Sequence, residues 1–218
     1  MTSMLTAPLY LLRHGETAWN LERRLQGMQD SALTERGRAQ AAGIGRALKA
    51  ELAGACGPTV FLRSPLGRTR ETSLIVGREL GLDPAAWRDD PRLAGVGFGR
   101  WEGSTWQEIE AVRPDAHTQW RADPAGFTTP GGETYFSLRQ RSAAVLAEIA
   151  ALGTRTVAVG HGVSGAVLRG LHLGLDARST IALETPQKAF FRLLSGREER
   201  IEAHGDDRAS NRGGQRAM

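Results

Sequence analysis

Short apolar runs that stop at polar or glycine residues alternate along this chain with stretches whose apolar residues recur at helical spacing. Leu9 to Leu12 is the first run, and its abrupt end at Arg13-His14-Gly15 predicts a buried strand stopping at a functional turn. After the turn-like Asp30 to Gly37 region, the spacing of Ala41, Ile44, Leu48 and Leu52 predicts a helix. Thr59 to Leu62 predicts a second strand, and Pro65 to Leu80 a second helix stopped by Gly81. Asp89 to Gly103, with Gly95, Gly97, Gly99 and Gly103, reads as a long loop. Ser104 with Gln107 fits a capping box and predicts a short helix through Ile109 to Val112 before Pro114. Arg121 to Gly132 is another loop, and the long helix after it has Tyr135, Leu138, Val145 and Ile149 on its apolar face. Arg155 to Gly160 predicts a third strand ending at His161-Gly162, and Val163 to Leu173 the helix that leads away. Ala189 to Leu194 gives one more strand, with Ile201 in an edge strand.

Strands alternating with helices imply βαβ units, hence a three-layer α/β sandwich: a mostly parallel central sheet with helices on both faces. A length of 218 residues suits one domain, expected over residues 1–205. Asp206 to Met218 carry almost no apolar side chains and are expected to form a flexible tail.

Composition changes this picture little, since 40% hydrophobic and 24% charged residues are ordinary for a globular core. The net charge of +4 comes from an unusual choice of cation, because only Lys49 and Lys188 are lysines. A coding bias explains most of the surface arginines, although the arginine fork also matches phosphate. A nucleic-acid surface would need arginines gathered on one face, whereas here they are interleaved with Asp and Glu, so no nucleic-acid partner is expected. The lone Cys56 allows no intramolecular disulfide. With no signal-like N-terminus and no membrane-length apolar segment, the expected setting is the cytoplasm, with no membrane partner.

The candidate chemistry is positional. His14 follows the first strand, Arg68 lies just after the second, and His161 follows the third. In a parallel sheet these points meet at the carboxyl edge, where open α/β folds bind ligands. A neutral imidazole can attack phosphorus, which makes His14 the candidate nucleophile. Arg13, Arg68 and His161 are the right types to hold the charged phosphoryl oxygens, and Gly15 and Gly162 would let backbone approach the phosphate. No metal enters this scheme, and no His-x-x-x-His pair with carboxylate partners is present. His172 is expected to be packed and hydrogen-bonded, His117 and His204 solvated. Trp87, Trp101, Trp106 and Trp120 read as packing residues first and as pocket-mouth residues second.

These residues also carry a resemblance. Leu12-Arg13-His14-Gly15-Glu16-Thr17 followed by Asn20 resembles the signature of the histidine phosphatase superfamily, the phosphoglycerate mutase-like proteins. Ser64-Pro65-Leu66-Gly67-Arg68 with Thr72 resembles its second arginine segment, Phe98 to Gly103 its central loop, and Gly160-His161-Gly162 its second histidine segment. Gln26-Gly27, Leu33-Thr34-Glu35 and Gly131-Gly132-Glu133 also fit, so the likeness runs in order from Leu9 to Leu173. It implies that His14 becomes phosphorylated, that Arg13, Arg68 and His161 surround the phosphate, and that Thr17, Asn20 and Gln26 help to hold phosphate or substrate.

The central loop is similar to that of the phosphatase branch. The expected activity is therefore hydrolysis of a small phosphorylated metabolite through phosphohistidine, without cofactor and with the oligomeric state open. Mutase-type transfer, or phospho-ligand binding with weakened catalysis, are the rival expectations. One departure bears on both: the family's usual acid, a glutamate two residues after the loop's first leucine, is replaced here in Leu93-Ala94-Gly95. Glu102 and Glu133 are the candidates for that role, with a structural loop carboxylate the favoured reading of Glu102.

Overall fold

The computed structural model describes residues 4–54 and 56–203. In chain order the main elements are β1 (Leu9–Arg13), α1 (Ala18–Leu21), α2 (Glu35–Leu52), β2 (Thr59–Arg63), α3 (Gly67–Leu80) and β3 (Trp87–Asp89). Then come α4 (Trp106–Val112), α5 (Ala116–Ala122), α6 (Tyr135–Leu152), β4 (Arg155–Gly160), α7 (Gly162–Leu173), α8 (Ala177–Ile181), β5 (Ala189–Leu194) and β6 (Arg197–Glu202). The tail at Asp206 to Met218 and His204 lie outside the described residues.

The six strands form one sheet in the order β3-β2-β4-β1-β5-β6. β1, β2, β3 and β4 run parallel, with Leu9 opposite Thr156 and Val60 opposite Thr156 on the other side. β5 turns back antiparallel to β1, and β6 antiparallel to β5. The α/β class with a mostly parallel sheet is thus the observed one.

Alternation along the strands sends successive side chains to opposite faces, and each face has its own core. Leu9, Leu11, Ala158 and Leu193 pack with Leu138, Val145 and Ile149 of α6 and Val167 and Leu171 of α7. Tyr10, Leu12, Val157 and Val159 pack on the other face with Ile44 and Leu48 of α2 and Val76 of α3. The central strands are buried on both faces, which is why they read as unbroken apolar runs. A third, smaller cluster lies apart from the sheet: Trp101, Ile109 and Ala116, with Leu25, Phe98, Trp106 and Phe127 packed around them.

Two local expectations need correction. The capping box of α4 is Thr105 with Glu108, one residue later than Ser104 with Gln107; Thr105 N donates to Glu108 Oε2 at 2.9 Å and Glu108 N to Thr105 Oγ1 at 3.1 Å. Arg24 Nη1 also reaches Glu108 Oε2 at 2.7 Å, and the Ser104 carbonyl is taken by Leu25 N, so tertiary partners select the later frame. Trp87 is the packing residue expected, buried edge-on against Phe61 at 5.2 Å between centroids, in a short strand that the sequence pattern does not mark. His117 is half-buried rather than fully solvated, stacked on Trp106 at 4.8 Å. His172 is buried, with Nε2 3.0 Å from Arg197 O, as its place in α7 implied. Among the described residues no helix is long and apolar enough to cross a membrane.

Candidate active site

β1 and β4 are neighbours, and His14 N donates to Gly160 O at 3.1 Å, so the two histidines leave the sheet side by side. Their rings lie 5.2 Å apart. Arg68, in the first turn of α3 after β2, reaches the same point, and its Nε donates to His161 Nδ1 at 3.2 Å. Arg13, His14, Arg68 and His161 all line a pocket of about 160 Å³, together with Asn20, Gln26, Gly162 and Thr185. The carboxyl edge of the parallel strands therefore brings these four residues together.

Hydrogen bonds settle the tautomers. His14 Nδ1 lies 2.8 Å from Gly15 O; a carbonyl only accepts, so Nδ1 carries the proton and Nε2 keeps the lone pair. At His161 the roles are reversed: Nδ1 accepts from Arg68, so Nε2 carries the proton and donates to Ser64 Oγ at 2.8 Å. Burial holds His14 well below the ordinary 6.5, with Arg13 and then Arg68 adding repulsion. Burial does the same to His161, reinforced by His14, Arg68 and Arg13. Both rings are neutral at physiological pH, and His14 is poised as a nucleophile.

Arg68 is locked in place. Of its five N–H groups, Nε serves His161, Nη1 serves Gln29 O at 2.6 Å and Asp30 Oδ1 at 2.9 Å, and Nη2 serves Gly27 O at 2.7 Å. Among the described residues this leaves one Nη2 hydrogen for a ligand. Arg13 is held through Nη1 on the Thr185 carbonyl and hydroxyl, and its buried Nε has no partner among the described residues. Burial, reinforced by Arg68, brings Arg13 down to about 10, which still leaves it a cation at neutral pH.

The substrate-holding residues expected from the sequence divide into two kinds. Asn20 accepts from Thr17 N at 3.2 Å and Gln187 Nε2 at 3.0 Å through Oδ1, which turns its amide hydrogens to the other side. Thr17 is fully buried, caps α1 and receives Gln26 Nε2 at 2.6 Å; it positions its neighbours and does not line the pocket. Gln26 Oε1 is buried without a partner among the described residues. Rotating that amide would let the Thr17 hydroxyl donate to Oε1 and turn the amide hydrogens to the pocket, the orientation an anion selects. Gly162 opens α7, and a Cβ there would lie 3.2 Å from Thr185 Oγ1 and 3.5 Å from Arg13 Cζ. Gly15 is required for another reason: a Cβ would sit 2.3 Å from Gly37 O, a backbone packed against it.

No carboxylate lines this pocket among the described residues. Glu102 Oε1 accepts from Met28 N and Phe98 N, each at 2.9 Å, and Oε2 accepts from Gln29 N at 3.2 Å, so it ties two loops together. Glu133 is paired with Arg141 through Nε at 2.7 Å and Nη2 at 2.8 Å. At Gly95 a Cβ would stand 2.8 Å from Gly27 O and 3.2 Å from Arg68 Nη2, so the loop approaches the site more closely than any side chain allows. Arg141 holds that loop, with Nη1 on Arg92 O and Ala94 O and Nη2 on Gly95 O. Arg141, Asp30, Thr185 and Gln187 carried no motif in the sequence; only the fold brings them to the site.

Residues 9–205 match the family model of the histidine phosphatase superfamily (branch 1). The chain belongs to the histidine phosphatase superfamily. Membership makes it an enzyme of phosphoryl transfer, a phosphatase or phosphotransferase. Within the superfamily it is 37% identical over 175 residues to a Salmonella paratyphi C protein named probable phosphoglycerate mutase GpmB, spanning 78% of this chain and 76% of that one. Its fold matches that of the mycobacterial glucosyl-3-phosphoglycerate phosphatase solved with VO3, at 29% identity and TM-score 0.75, covering 89% of this chain and 97% of that one. It also matches Bacillus stearothermophilus YhfR, at 29% identity and TM-score 0.74, covering 92% and 97%.

Proposed function

We propose that this protein is a phosphomonoester hydrolase acting on a small phosphorylated metabolite through a phosphohistidine at His14. The observation that carries this is the Nδ1 contact of His14 with Gly15 O, which leaves Nε2 unprotonated in a pocket lined by Arg13, Arg68 and His161. Nε2 attacks phosphorus as the ester P–O bond breaks and its electron pair leaves with the alcohol oxygen. The bond from Nδ1–H to Gly15 O stabilises the positive charge that develops on the ring. The two guanidinium groups and the amides of Asn20 and Gln26 hold the phosphoryl oxygens while His161, bonded to Arg68 and Ser64, fixes the Arg68 guanidinium, so stabilisation is largely electrostatic and preorganised. Water then attacks phosphorus, the P–N bond breaks, and inorganic phosphate leaves with His14 neutral again.

Protein incubated with labelled phenyl phosphate and quenched in alkaline denaturant should carry label on His14, and His14→Ala should lose the label together with about three orders of magnitude or more of turnover. Turnover that survives in His14→Ala would remove the proposal. The relative named as a probable phosphoglycerate mutase supports a second reading, transfer back onto a sugar-acid phosphate. Incubation with 3-phosphoglycerate separates the two: the hydrolase releases inorganic phosphate, and the mutase yields the isomeric ester. Tight phosphate binding with turnover at background would instead mark a binding protein that has lost its acid.

A further inference from the structure

Beside the catalytic pocket lies a second chamber of about 300 Å³. Val96, Phe98 and Val163 belong to the walls of both, so the two spaces adjoin. The chamber is faced by Trp106, Trp120, Phe127 and Tyr135, and its exposed lining is overwhelmingly apolar. An apolar cavity of about 150 Å³ is enough for benzene, and twice that volume suits a fused pair of rings. Two buried hydroxyls in its wall, Thr129 Oγ1 and Tyr135 Oη, have no hydrogen-bond partner among the described residues.

The second observation is chemical. Among the described residues the catalytic pocket has no carboxylate, Glu102 ties two loops together, Glu133 lines the chamber but is paired through both carboxylate oxygens with Arg141, and Gly95 stands too close to Gly27 O to be replaced by an acid. A departing oxygen therefore leaves without a proton from a protein acid. Alkoxides, whose conjugate acids are about as weakly acidic as water, make poor leaving groups under that condition. Phenolates, at about 10 on the tyrosine scale, leave readily.

We infer that the alcohol half of the substrate is an aromatic ring system bearing a phenolic oxygen, seated in the chamber between Trp106, Trp120 and Phe127 while its phosphate lies on His14. The inference rests on the hydrolase reading above. His14 Nε2 forms the P–N bond as the aryl P–O bond breaks; the electron pair leaves on the phenolate, which takes its proton from solvent, and water later cleaves P–N.

Three substrates test it on the intact protein. Phenyl and 2-naphthyl phosphate release phenols of nearly equal acidity and differ in the ring the chamber would take, whereas glycerol 1-phosphate releases an alkoxide. kcat/KM for 2-naphthyl phosphate should exceed that for phenyl phosphate by about tenfold. Glycerol 1-phosphate should lag phenyl phosphate by about 10²–10⁴-fold, the contribution of a general acid. Trp120→Ala should bring the naphthyl-to-phenyl ratio close to one, a readout that a general loss of folded protein does not move. If that variant does not fold, competitive inhibition of the wild-type protein by 2-naphthol, stronger than by phenol, supplies the same evidence. Equal rates on the two aryl esters, or glycerol 1-phosphate keeping pace with them, would overturn the inference while leaving the hydrolase intact. Absence of hydrolysis with all three would remove the hydrolase reading, and this inference with it.

Discussion

The surroundings that keep His14 and His161 neutral also make the fold sensitive to acid. Both titrate well below 6.5 in the folded protein, chiefly through burial, whereas in the unfolded chain they take up protons near 6.5. Below that pH the unfolded state binds protons that the folded state refuses, so stability falls as pH drops. The slope is at most about 1.4 kcal/mol per pH unit for each histidine. Urea unfolding at pH 7 and pH 5.5 should show this loss, and His161→Asn should shrink it; a flat profile would contradict the neutral assignment. Gly95 sets a second limit at this scale. A methyl group at 2.8 Å from Gly27 O forces backbone to move, so Gly95→Ala should lower stability by about 1–3 kcal/mol in the same assay. Gly95→Glu should likewise fail to raise turnover of glycerol 1-phosphate, because the side chain has no room where the family carries its acid. A large gain in rate at unchanged stability would show that the loop accommodates it.

Among the elements, α7 does more than present His161. Its Arg169, nearly fully buried, holds Glu198 of β6 through Nε at 2.7 Å and Nη2 at 2.9 Å, and Glu184 O through Nη1 at 2.6 Å. The guanidinium also lies 3.4 Å over the Phe191 ring of β5. One side chain thus fastens the antiparallel half of the sheet and the segment whose next residue, Thr185, holds Arg13. Removing one partner of such a pair leaves the other charge uncompensated, so Arg169→Met should cost about 3–5 kcal/mol in chemical denaturation. It should also raise KM more than it lowers kcat, because the loosened group is Arg13, which the proposed mechanism sets on the phosphate. A change confined to kcat would separate Arg169 from the Thr185 contact. The sequence placed α7 to within one residue of its start, since an apolar run after His161-Gly162 has no other use. β3 escaped notice because three residues cannot display an alternation, and its evidence is the pairing of Trp87 with Phe61.

For the whole molecule, what could be read in advance was whatever repeats locally. The buried strands, the long helices and the four residues at strand ends follow from apolar runs and from the parallel-sheet rule. The antiparallel return of β5, the Arg141 clamp on Gly95 and the aromatic chamber depend on segments far apart in the chain, and no local pattern announces them. Both sheet edges are protected in ways that only the assembled sheet reveals: β3 is short, and β6 is lined with Arg197, Glu198, Glu199 and Arg200, charges that discourage pairing with another chain. The register that sets Leu9 against Thr156 has a further consequence in time. The stretch from Leu9 to Thr156, about two thirds of the chain, must be in place before β1 and β4 can meet, and pairings of such long separation form slowly. Helices can therefore appear early in refolding, but His14 and His161 become neighbours only when the sheet closes, and no shorter fragment can bring them together.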